Sequence, residues 1–224
     1  MKIGIIGAMP EEIELLKSKL ENMQEETHKN STCYIGTLLG KDIVLVKCGV
    51  GKVNAALITQ FIITHYNVSH VINIGIAGSV TENINIGDTI ISNDLVQHDV
   101  DARHFGYAYG RVPSMDTLYF KACEDLVKIA SSIEGTTVGR IATGDQFVGD
   151  MSRKAFIHNQ FNALCTEMEG AAIGHTCYVN DVPFIVIRSI SDNASGNAFD
   201  EFTKNMNKTI EISTGIVEKL VEKI

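Results

Sequence analysis

The chain has 224 residues, 45% of them hydrophobic and 21% charged, enough for one large domain with a substantial core. Its net charge of −8 argues against a general nucleic-acid binder, whose electrostatic footprint is basic. The five cysteines (Cys33, Cys48, Cys123, Cys165, Cys177) form no C-x-x-C pair, which favours free thiols in a reducing compartment over a disulfide framework or zinc site. The first apolar run, Lys2–Ile6, is closed by Gly7 and reads as a buried strand. It stops at Pro10-Glu11-Glu12, too early for a signal segment or a membrane span, so a soluble, cytoplasmic protein with no membrane partner is expected. Glu11–Leu20 places Ile13, Leu16 and Leu20 at helical spacing. Cys33–Leu39 and Asp42–Cys48 read as two strands joined by a tight turn at Gly40.

Further along, Val53–Tyr66 reads as a helix, Val71–Ile74 as a strand ending in Gly75, and Asp88–Val96 as another strand. Asp116–Ser132 is expected to be helical, Thr136–Ala142 a strand, and Glu167–Val179 a helix opened by two acids. Pro183–Ile190 is an apolar strand interrupted only by Arg188, and a helix from about Glu201 to Val221 closes the chain. Strands and helices alternate, with no repeat or low-complexity linker. This predicts a single α/β domain over residues 1–224, with a mixed, largely parallel central sheet flanked by helices. Ligands in such sheets sit beyond the carboxyl ends of the strands.

Three motifs are set aside. Gly49-Val50-Gly51-Lys52 lacks the first glycine and the Ser or Thr of a P-loop, Val46 and Val53 standing in their places. Neither glycine-ended strand carries G-x-G-x-x-G, and no G-x-S-x-G elbow occurs. His98-Asp99-Val100-Asp101 with His104 offers metal-ligand types without metal-site spacing, and reads instead as a polar loop whose His and Asp bond one another; no metal or cofactor is expected.

Four segments remain, each at a strand end: Gly7-Ala8-Met9-Pro10-Glu11-Glu12; Asn73-Ile74-Gly75-Ile76-Ala77-Gly78; Thr166-Glu167-Met168-Glu169-Gly170; and Arg188-Ser189-Ile190-Ser191-Asp192. Taken singly, each has an ordinary explanation. Glu12 and Glu169 could complement a helix dipole, Asp192 could cap a helix, and Met168 and Phe147 could be core. Arg188 is harder to dismiss, because a guanidinium inside an apolar strand needs a carboxylate partner.

Together these segments resemble the nucleoside phosphorylase and nucleosidase superfamily, and within it the bacterial 5′-methylthioadenosine/S-adenosylhomocysteine nucleosidases. The likeness runs from Met1 to Phe202 and includes Gly49–Ala56, Phe105–Gly110 and Thr143-Gly144-Asp145-Gln146-Phe147. It implies hydrolysis of an N-glycosidic bond to a 5′-modified adenosine, with a protonated acid for the departing adenine and an ionised base for water.

By the same resemblance Asp192 is the acid, oriented by Ser191, and Glu12 the base. Glu169 takes the ribose hydroxyls beside Met168, with Glu167 in the same segment, and Arg188 places the water and holds the acids. Phe147 stacks on adenine and the Val148 backbone reads its edge. Ile76, Ala77 and Gly78 lie against the nucleoside, and Met9, Val50 and Phe199 line the pocket for the 5′-substituent. Phe105 and Pro113 match residues given by a second subunit, implying a homodimer.

Three features depart from the pattern: Ile76 where serine is expected, Gly170 where alanine is expected, and a short loop from Asn193 to Ala198. Other readings stay open: a phosphorylase, which would need arginines around phosphate, a futalosine-type hydrolase, and a binding protein without activity.

Overall fold

Glycine, proline and short apolar runs punctuate the chain into ten strands and six helices in a computed structural model that describes residues 1–29 and 31–224. In order they are β1 (Lys2–Gly7), α1 (Pro10–Lys17), β2 (Glu21–His28), β3 (Ser31–Leu38), β4 (Lys41–Lys47), α2 (Lys52–Tyr66), β5 (His70–Ser79) and β6 (Thr89–Gln97). After a short 3-10 turn at Arg103–Phe105 come β7 (Phe120–Lys121), α3 (Glu124–Ser131), β8 (Thr136–Thr143), α4 (Met151–Phe161), β9 (Ala163–Glu167), α5 (Gly170–Val179), β10 (Phe184–Asp192) and α6 (Ala198–Lys223).

One mixed sheet runs through all of them. Its order is β10-β6-β8-β9-β5-β1-β4-β3-β2, and β10 also pairs with β5, so β5, β9, β8, β6 and β10 close into a ring. Strand β1 is parallel to β4 and β5, β10 is parallel to β5, and β8 is parallel to β6 and β9. The β2–β3–β4 meander and the β5–β9, β6–β10 and β6–β7 pairs are antiparallel. Apolar strands buried on both faces need helices on both sides. Helices α1, α3 and α6 cover one face through Leu16, Leu126 and Leu220, and α2 and α5 the other through Ile62 and Ile173.

The structure revises several expected elements. Helix α1 stops at Lys17, and the polar run Glu21–His28 is an edge strand, exposed along nearly its whole length, with no apolar alternation to betray it. Residues Asp116–Cys123 are not helical. Phe120 is buried by pairing with Leu95 on β6, and tertiary contact overrides the local spacing there. Helix α4 and strand β9 had no expected counterpart, and β9 takes Glu167 out of the anticipated helix, which starts at Gly170. Helix α6 begins at Ala198, a turn earlier than expected.

Candidate active site

Strands β1, β4, β5, β8, β9 and β10 all deliver their carboxyl ends to one cavity of about 480 Å³. The end of β1 turns sharply into α1, where Pro10 at the first helical position carries the φ a helix needs. Glu12 is the third residue of that helix and folds back on its own N-terminus. Its Oε2 accepts from the Ala8 and Met9 N–H groups at 2.6 and 3.0 Å, and its Oε1 accepts from the Ile76 N–H at 3.3 Å. Glu12 therefore performs the acidic half of a capping box while its carboxylate faces the cavity. Burial drives its pKa upward, against the opposing pull of the Arg188 charge and the three N–H groups.

Strand β5 makes room for the acids. A Cβ on Gly75 would stand 2.7 Å from Glu12 Oε1 and 3.1 Å from Arg188 Nη1, and a Cβ on Gly78 would stand 2.7 Å from Asp192 Oδ1. Any larger residue at these two positions displaces a carboxylate. Asp192 ends β10 beyond a register shift that falls between Ile190 and Asp192 in the pairing with β5. Its Oδ2 accepts from the Ser191 hydroxyl and its Oδ1 from the Ala194 N–H, both at 2.9 Å. This is a local turn and not a helix cap. Burial raises the Asp192 pKa; the two hydrogen bonds oppose that rise and the Glu201 charge adds to it.

The β9–α5 junction places two more carboxylates. Glu167 Oε2 accepts from the Glu169 and Gly170 N–H groups at 3.1 and 2.7 Å and so caps α5, while the Thr143 hydroxyl donates to its Oε1. The same Oε2 receives Arg188 Nη2 at 2.5 Å, the carboxylate partner that a buried guanidinium requires. Nη2 also bonds Asn73 Oδ1 at 2.5 Å, and Glu169 Oε2 lies 4.0 Å away. Glu169 Oε1 accepts from the Gly51 N–H at 2.8 Å. Burial first, then the charge of Glu167, pushes the Glu169 pKa up to about 8.

The cavity is lined by Met9, Glu12, Val50, Ile76, Ala77 and Gly78 from the first half of the chain. From the second half come Phe147, Val148, Glu167, Met168, Glu169, Ser191, Asp192 and Phe199. All of these were singled out in the sequence. Arg188, expected to help place the water and hold the acids, is not among the residues lining the cavity; it is 1% exposed, and its bonds go to Glu167, Asn73 and the Ile187 carbonyl. Phe105, 83% exposed, and Pro113 lie on the surface and outside this cavity.

Four lining residues had been given no role of their own: Ala8, Gln146, Thr166 and Phe202. Phe202 carried a usable signal, its i,i+3 spacing from Phe199, which the late helix start concealed; Phe147 meets both rings edge-on. The set-aside motifs have structural tasks. Lys52 Nζ pairs with Asp99 at 2.6 Å and bonds Gln97, and Arg153 bonds the His98 ring, so His98 and Asp99 do not bond one another as expected.

Residues 2–222 match the phosphorylase superfamily, and the chain belongs to that superfamily. Within it, the chain is 42% identical to the 5′-methylthioadenosine/S-adenosylhomocysteine nucleosidase of Staphylococcus haemolyticus over 98% of this chain and 99% of the relative. It is likewise 42% identical to the nucleosidase of the same name from a Geobacillus species, over 100% and 99%. Among solved structures, the S. pneumoniae nucleosidase with the transition-state inhibitor MT-ImmA superposes with a TM-score of 0.96 at 37% identity, covering 99% of both chains. The futalosine hydrolase of Helicobacter pylori gives 0.96 at 33% identity, over 100% of this chain and 98% of that one.

Proposed function

We propose that this chain hydrolyses the N-glycosidic bond of 5′-methylthioadenosine and S-adenosylhomocysteine, releasing adenine and the 5′-thioribose product. The observation that carries the reading is a pair of buried carboxyl groups, Glu12 and Asp192, in one cavity but in unequal surroundings. Glu12 receives three N–H groups and the field of Arg188, all of which favour its ionised form. Asp192 receives two hydrogen bonds and feels the unfavourable charge of Glu201. Asp192 is therefore the proton donor to adenine N7, and Glu12 the base that takes a proton from water. Protonated adenine leaves as a neutral group, and water attacks the oxocarbenium-like sugar.

Ser191 holds the Asp192 carboxyl through its hydroxyl, and Arg188 positions Glu167 and Glu169 from behind the wall. Glu169 engages the ribose hydroxyls. Phe147 stacks on adenine beside the Val148 backbone, and Met9, Val50 and Phe199 receive the 5′-thio group. Ile76, Ala77 and Gly78 form the floor under the sugar. No cofactor or metal enters this chemistry.

Water is favoured over phosphate as nucleophile because, among the described residues, no Arg or Lys lines the cavity. Arg103, Arg111, Arg140 and Arg153 are committed to Asp101, the Met115 carbonyl, Asp94 and His98. We further propose a homodimer in which Phe105 and Pro113 close the partner's 5′-pocket. An apolar face formed by Val53 and Leu57 on α2 and Val179 on α5, each more than 60% exposed, supports this. Five free thiols support placing the enzyme in the cytoplasm; among the described residues no helix is long and apolar enough to cross a membrane.

The test is adenine release from methylthioadenosine, S-adenosylhomocysteine and futalosine-type nucleosides, with and without phosphate. Phosphate-independent adenine release from the first two is expected. Dependence on phosphate, or turnover of the futalosine-type substrate alone, would reject the reading.

A further inference from the structure

Far from the cavity, strand and helix periodicities bring three metal-ligating side chains together. Along β2 the period of two puts Glu26 and His28 on the same face, and antiparallel pairing sets them opposite Cys33 and Ser31. The last two turns of α2 present Phe61, His65 and Tyr66 to His28. His28 Nε2 lies 3.5 Å from Glu26 Oε2, and the His28 and His65 rings are 4.8 Å apart at 69°. One ligand atom from each of Glu26, His28 and His65 falls within 4.8 Å of the other two. Phe61 stacks on His65 at 17° and orients its ring.

We propose that Glu26, His28 and His65 form a surface site for a divalent ion of the zinc type. Two imidazoles and one carboxylate, with a fourth position left for water, are a donor set that suits Zn²⁺ and its neighbours better than the all-oxygen preference of Mg²⁺ or Ca²⁺. Tetrahedral bonds of about 2.0–2.1 Å put ligand atoms roughly 3.3 Å apart, close to the separation His28 and Glu26 already have. His65 reaches the same point by a small movement of an exposed ring.

The Tyr66 hydroxyl bridges the pair, donating to Glu26 Oε2 at 2.9 Å and lying 3.0 Å from His28 Nε2. An ion replaces that single hydroxyl bridge with bonds to three residues. It thereby ties the exposed β2–β3 hairpin to the C-terminal end of α2. Helix α2 spans about 20 Å from there to Gly51, which serves Glu169, so the ion acts on stability and not on the reaction.

The experiment uses Zn²⁺ and Co²⁺ with the metal-free full chain. Saturable binding of one equivalent per chain is expected, with a rise in thermal midpoint that a chelator reverses and with unchanged adenine release. Co²⁺ should give d–d absorption without thiolate charge-transfer bands, which separates this site from the five cysteines. His65→Gln should weaken binding at least tenfold, and the pair His28→Gln with His65→Gln should abolish both the binding and the thermal shift while activity persists. No saturable binding by the parent chain, thiolate bands in the Co²⁺ spectrum, or binding unchanged in the double variant would overturn the proposal.

Discussion

In the proposed mechanism Asp192 contributes one proton. Asp192→Asn keeps the size of the side chain and an oxygen to accept from the Ala194 N–H, with its amide able to donate to the Ser191 hydroxyl in place of accepting from it, but cannot deliver a carboxyl proton to adenine. A loss of about 10²–10⁴-fold in kcat is expected with the thermal midpoint preserved, since general-acid catalysis carries that much; near-parental turnover would remove Asp192 from its role. Ile76 is the departure from the resembled pattern. Its N–H donates to Glu12 whatever its side chain is, so Ile76→Ser leaves the base in place and adds a hydroxyl facing the sugar. One neutral hydrogen bond of about 0.5–1.5 kcal/mol, gained in the transition state, raises turnover on methylthioadenosine roughly three- to tenfold. If kcat and kcat/KM fall on both substrates, isoleucine is a packing adaptation of this pocket.

Glu169 links the site to stability. Its folded pKa of about 8 lies above the usual 4.5, so the folded chain binds a proton there that the unfolded chain releases between those values. The stabilising influence of acid is complete below the unfolded pKa and is lost as pH rises through the folded one. Glu169→Gln removes the buried charge, so its thermal midpoint relative to the parent should rise more at about pH 8.5 than at about pH 5. Equal shifts in thermal scans at the two pH values would show that the carboxyl does not titrate in this range.

At the scale of elements, short caps decide where the site begins. Helix α4 follows the loop bearing Phe147 and starts at Asp150, whose carboxylate accepts from the Arg153 N–H at 2.8 Å and from Ser152 at 2.7 Å. Asp150→Ala should cost about 1 kcal/mol, or roughly 2–4 °C in thermal midpoint for a chain of this size. Calorimetry that shows no loss would mean that water satisfies the freed N–H group. Elements were legible wherever a run's own side chains carried the period. Strand β1 is apolar along its buried length and β10 opens on the apolar run Phe184–Ile187, and both were read nearly to their ends. Strand β2 and helix α4 were not: β2 has no apolar alternation and is held by backbone pairing with β3, and α4 buries only Ile157 and Phe161 among its apolar residues behind the Asp150 cap, too few to announce a helical face.

For the whole molecule, assembly is the main expectation. Val53, Leu57 and Val179 expose apolar side chains on α2 and α5, and Phe105 lies outside the cavity of its own chain. Leu57→Glu should cost about 2 kcal/mol or more at the centre of such a contact, a dimer weakened roughly 30-fold. Light scattering should then show monomer at concentrations where the parent is dimeric, with KM for the 5′-thio substrates raised. A fully active monomeric parent would contradict the shared pocket.

The sequence by itself determined the α/β alternation, the strand-end position of the ligand segments, and most of the residues that meet in the cavity. It could do so because buried strands, glycine approaches and acids at turns are recorded in residue type and spacing. Only the tertiary structure decided what each carboxylate does. Glu167 caps α5 and binds Arg188, Glu12 takes three N–H groups from two strand ends, and Arg188 is buried behind the cavity wall. Those roles depend on which chain segments β5 brings beside β1, β9 and β10, and on how deeply each charge is buried. Pairing between segments far apart in the chain, 118 residues from Gly51 to Glu169, leaves no trace in local pattern.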